Sequence, residues 1–201
     1  MTNKAAIFLE LEENVYVGVN VYENGFLNGV GRLLLEHYQD RDKASHIVNW
    51  RKPILLLGET ALHIIDYQQI TNQPVETYRD FQDKVKADPQ RHLELLHAYS
   101  NQNATVVLDV YAGEYLFANN LEEIKSGAYR EFRATGDGTT TINDYADLTD
   151  NLPYIYVQSF VSGTWYTFHY NEDTQRYDDC RKLEDDVEQV HYFSRDINEF
   201  Y

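Results

Sequence analysis

Between residues 22 and 38 a turn signal runs directly into an apolar stripe at helical spacing. Asn24-Gly25 turns the chain, after which Phe26, Val30, Leu33, Leu34 and Tyr38 fall on one face of a helix. A glycine inside a helix costs about 1 kcal/mol relative to alanine, so Gly29 and Gly31 need a reason. A phosphate-cradling loop is one. The spacing of Gly25, Gly29 and Gly31 is not that of a dinucleotide fingerprint, however, and no Gly-Lys-Ser/Thr follows. Close backbone packing of the helix against its neighbours is the expectation.

The flanking sequence supplies those neighbours. Ala5 to Leu11 is an apolar run, and Val15, Val17, Val19 and Val21 alternate with Tyr16, Gly18, Asn20 and Tyr22. A period of two on both sides of Glu12-Glu13-Asn14 predicts a hairpin whose valines face the core. Asp42 is a candidate cap for a second helix reaching Trp50, with Ala44, Ile47 and Val48 inward, and Pro53 ends it. Ile54 to Gly58 is a short apolar run, and strands are expected at 62–67, 104–111 and 115–118. A helix is expected over 78–86, and another from Asp88-Pro89, where proline occupies the first helical position behind an aspartate cap. Thr135 to Asn151, with Gly136-Asp137-Gly138, reads as a loop holding at most a turn of helix at 143–148. Tyr154 to Val161 and Thr164 to Tyr170 then form a hairpin around Ser162-Gly163.

Gly25, Gly29-Val30-Gly31, Leu34-Leu35-Glu36-His37-Tyr38 and Asp40-Arg41-Asp42-Lys43 together resemble a family of small phage and prophage proteins. These open with a short strand pair, continue with a segment close to WDGYPEGVGxTLLEHY, and close with a tyrosine-rich strand pair containing Trp-Tyr, which Trp165-Tyr166 matches. The resemblance spans about residues 5 to 170 and implies a mobile-element protein. It brings no catalytic residue with it. The expected fold is α+β: an antiparallel sheet built from N-terminal, middle and C-terminal hairpins, packed by several helices. A core domain over 1–170 is followed by an acidic C-terminal extension, 171–201, partly helical and packed on the core.

Charge is the second constraint. The chain carries a formal charge of −16, and from Asp137 onward fourteen acids face four bases, a net of −10, against −6 for all that precedes. Such a field repels nucleic acid and attracts proteins that hold nucleic acid. Seventeen tyrosines add rings that pack while their hydroxyls stay wet, chiefly a core-forming role, but one that also suits contact surfaces. No apolar run is long enough to span a bilayer, and the first residues lead into a strand pattern with no signal-peptide character, so a cytoplasmic protein is expected. Cys180 is alone and excludes an intramolecular disulfide. Beside Asp178-Asp179 its thiolate is disfavoured.

No constellation specifies an enzyme. His92 and His97 are five apart, not the four of a helical metal pair, and no histidine has a partner by spacing. Asp144, Asp147 and Asp150 recur every third residue without the rest of a calcium loop. No metal and no cofactor is expected. If helical, Glu184, Asp185, Asp186 and Glu188 put four carboxylates on about 6 Å of axis, near the ~1.7 Å per charge of duplex DNA, although Arg181 can reach Glu184 or Asp185, and Lys182 can reach Asp186, at helical spacing and neutralise part of that charge. The candidate partner-binding surface is therefore Asp144, Asp147, Asp150, Asp178, Asp179, Glu184, Asp185, Asp186 and Glu188. The expected function is an anti-defence inhibitor that binds a host nucleic-acid-binding protein, such as a nuclease effector of CRISPR or restriction type, with a nucleic-acid-mimicking surface. Direct nucleic-acid or membrane binding is not expected, whereas a homodimer is compatible with the tyrosines. Two alternatives stand beside it: an adaptor using aromatic contacts, and a carboxylate-dependent enzyme acting on nucleotides or nucleic acid.

Overall fold

A computed structural model describes residues 4–72, 74–75, 78–100, 103–108, 113–134, 140–143 and 152–189. The expected α+β class is what the chain adopts. Strands β1 (Ala5–Glu12) and β2 (Val15–Val21) form the predicted hairpin, with Asn14 at φ 64° in the turn. A single π-helical turn over Leu27–Gly31 leads into α1 (Arg32–His37), and α2 (Arg41–Asn49) follows. The cap of α2 is Asp40, not Asp42. Its side chain accepts from the Lys43 amide at 2.9 Å, three residues on, where a capping oxygen reaches best.

Next come β3 (Ile54–Leu56), β4 (Thr60–Asp66), α3 (Tyr67–Thr71), α4 (Tyr78–Ala87), α5 (Pro89–Ser100) and β5 (Ala104–Val107). β6 (Gly113–Ala118), α6 (Leu121–Lys125), β7 (Arg130–Ala134) and β8 (Thr140–Asn143) complete the middle of the chain. β8 corrects the loop reading of this stretch: its β-branched residues pair antiparallel with β7. The helical turn expected at 143–148 lies mostly outside the described residues.

The C-terminal hairpin is β9 (Tyr154–Gln158) and β10 (Trp165–Asn171), with Gly163 at φ 67°. β11 (Arg176–Lys182) extends the same sheet, and residues 183–189 form a last helix, α7.

Among the described residues eleven strands join one mixed sheet in the order β11-β10-β9-β1-β2-β3-β5-β4, with β6, β7 and β8 branching from β2. To the antiparallel hairpins it adds three parallel pairs: β1 with β9, β2 with β3, and β4 with β5. β1 is interior and buried on both faces, which is why its sequence is an unbroken apolar run. Ala5, Ile7 and Leu9 pack with Val19, Val21, Leu34 and Ile47 on the α1/α2 side. Ala6 and Phe8 pack with Tyr16, Ile124, Tyr129 and Phe168 on the other. A third cluster, including Leu55, Tyr67, Phe81, Leu96 and Val106, fastens α3, α4 and α5 to the far strands.

Gly29 and Gly31 of the opening motif have different neighbours. An added Cβ on Gly29 would overlap the Asn24 carbonyl and side chain, whereas one on Gly31 would stand 3.2 Å from Leu183 and 3.3 Å from Tyr156. The Tyr156 hydroxyl donates to the Gly25 carbonyl at 2.9 Å, and burial pushes it well above its ordinary pKa. Motif, C-terminal hairpin and α7 thus meet at one point.

Candidate acidic interaction face

The acidic residues of 176–189 occupy the sheet's β11 edge and the helix that follows it. Asp178, Asp179, Glu184, Asp185 and Glu188 are exposed. Asp144, Asp147 and Asp150 lie outside the described residues. Asp186 does not belong to the exposed surface: its side chain is 2% accessible. Helical geometry separates it from its neighbours, because at about 100° per residue Leu183, Asp186 and Val187 share an inward arc while Glu184, Asp185 and Glu188 share the outward one.

Burying a carboxylate is costly unless it is paired, and Asp186 is paired twice. His169 Nε2 is 2.6 Å from one oxygen and Arg181 Nη1 is 3.5 Å from the other. Arg181 also forks onto Asp179 at 3.0 and 2.6 Å, and that contact holds the Asp179 carboxyl below its usual range. A bulge lets these groups meet. Asn171 pairs with Arg176 but His169 with Asp179, so β11 holds one residue more than β10 between the two pairs. Asp179 and Arg181 consequently share the α7 side with His169, while Tyr177 stays in the opposite cluster. The cluster is a clamp fastening α7 to the sheet edge.

The outward charge is sparser than the bare sequence implies. Arg176 pairs with Asp178 at 3.1 Å and with Glu122, so β11 carries its own counter-charges. Three carboxylates remain on α7 over about 6 Å of axis, and the described ion pairs involve none of them. Among the described residues β11 ends the strand order, and interleaved charge shields its outer edge against strand addition. Partial burial, and after it the Asp179 and Asp186 carboxylates, push the Cys180 thiol up despite Lys125 nearby. This agrees with an unreactive sulfur.

Two histidines gain partners that spacing did not reveal: His169, and His92, which sits between the Tyr67 hydroxyl at 3.1 Å and Glu23 at 3.5 Å. His92 is buried and ties α5 to α3 and to the end of β2. No family model, curated protein or solved structure matches the chain. Among the described residues no helix is long and apolar enough to cross a membrane.

Proposed function

We propose that the chain is an anti-defence protein of a phage or mobile element. It acts in the bacterial cytoplasm by occupying the nucleic-acid site of a CRISPR-type or restriction-type enzyme with an acidic, nucleic-acid-mimicking surface. The observation that carries this reading is the outward arc of Glu184, Asp185 and Glu188, fixed in direction by the Asp186 clamp and set in the most negative third of the chain. A fixed array of carboxylates presents charge to a basic channel without first having to be ordered. The resemblance of residues 24–38 to phage proteins supports the mobile-element origin.

Competition tests it. Purified effectors of both types are mixed with labelled duplex DNA and the chain. The chain is expected to displace DNA, less well as salt rises from about 50 to 300 mM, because screening weakens charge–charge attraction. Neutralising the arc as E184Q/D185N/E188Q should weaken displacement. Failure to displace DNA from any effector, or displacement indifferent to those substitutions, overturns the reading.

A further inference from the structure

Among the described residues five large apolar side chains are exposed, and three of them, Leu11 (44%), Phe160 (51%) and Val161 (90%), sit at one end of the sheet. β1 and β9 are parallel neighbours, Leu9 opposite Gln158, so Leu11 and the 159–164 turn leave the sheet side by side. Scattered apolar residues need no explanation, but a concentration does.

The turn is also closed by hydrogen bonds. The Ser159 amide donates to the Thr164 carbonyl and the Gly163 amide to the Ser159 carbonyl, each at 3.0 Å. Gln158 Nε2 reaches the Gly163 carbonyl at 3.2 Å, and the Phe160 amide donates to Glu10 at 2.8 Å. The Arg41 guanidinium lies 5.2 Å above the Phe160 ring and bonds the Glu10 carbonyl. Phe160 and Val161 are thus held outward by a closed turn, and a partner need not order them.

Exposed acids surround this tip. Glu12 and Glu13 lie in the adjoining hairpin turn, and Asp40 and Asp42 flank the start of α2, which Arg41 ties to β1. Glu184 of the α7 arc shares a groove of about 240 Å³ with Gln39, Gly163 and Trp165. The nearby bases are engaged or outnumbered: Arg41 is turned inward, Lys43 lies 5.0 Å from the Tyr38 ring, and Lys182 lines the groove beside Glu184.

We infer that Phe160 and Val161 are the apolar anchor of the partner interface, inserting into a socket on a basic protein surface while the surrounding acids and the α7 arc meet its cations. An apolar centre within a charged rim is the arrangement that concentrates binding energy in few side chains. The same rim repels phosphates, which argues against an anionic bilayer or nucleic acid as occupant. This rests on the proposed function and places its energetic centre on the tip.

The full chain is immobilised, proteins retained from bacterial lysate are identified and purified, and their affinities for variants are measured at about 50 and 300 mM salt. For a basic, nucleic-acid-binding partner, F160S/V161S should lose about tenfold or more at both salts. The rim variant E12Q/E13Q/D40N/D42N should lose affinity mainly at low salt. V161S alone, at the most exposed position, removes any concern that the fold is disturbed and should also weaken binding. Undiminished affinity of F160S/V161S, retention of no basic protein, or tip-dependent binding to phosphatidylglycerol vesicles overturns the inference. If the tip variant loses binding but DNA does not compete, the anchor stands and nucleic-acid mimicry fails; if DNA competes and the tip variant binds normally, the reverse holds.

Discussion

Asp186 shows what one side chain can decide. It converts a run of four acids into an outward arc of three and, through His169 and Arg181, sets where α7 rests. Asp186→Ala should lower stability by about 1.5–3 kcal/mol, because it leaves the His169 and Arg181 contacts unmade. The urea midpoint measures this, and amide exchange over 183–189 should quicken. Sequence could not indicate the pairing: His169 and Asp186 are brought together by a hairpin and a bulge that leave no local period. Tyrosines provide a second test. Burial, assisted by Glu10 at Tyr16, pushes Tyr16 and Tyr38 each up to about 12. The fold thus favours their protonated forms, a contribution complete below pH ~10 and lost as pH climbs through about 12. Stability measured across this range should fall, and Tyr16→Phe should flatten the fall.

Elements were legible where local chemistry and packing agreed. The valine alternation of β2, the Asp88-Pro89 start of α5 and the Ser162-Gly163 turn each state their conformation within a few residues. Competing local signals were harder to rank. Two aspartates flank the start of α2, and Asp40 prevails because it stands outside the helix, three residues before the Lys43 amide. At β8 the flanking glycines obscured Thr140 and Thr141, whose β-branched side chains favour a strand. The opening motif makes a comparative prediction. Gly29→Ala should cost about 1–3 kcal/mol by overpacking, whereas Gly31→Ala, with contacts of 3.2 and 3.3 Å, should cost clearly less. Thermal unfolding separates them. Leu183 is fully buried, so Leu183→Ala should cost about 2–5 kcal/mol and loosen α7 together with the acidic arc.

For the whole molecule, class was readable and connectivity was not. Alternation and turns identify strands, but a parallel pair between distant segments has no turn to announce it, and the only hint was the unbroken apolarity of Ala5 to Leu9. Of the candidate face, the sequence revealed how much charge there is. It could not reveal that β11 neutralises part of its own share or that Asp186 turns inward. The pairing of Ala5 with Tyr154 has a consequence for biosynthesis. β1 emerges from the ribosome well before β9, so one edge of this apolar strand finds its partner only after residues 154–158 have been made. Until then it offers open hydrogen-bonding groups to any passing strand. A nascent chain stalled before residue 150 should therefore bind chaperones and resist release in a compact form, while one extended past residue 190 should become protease-resistant.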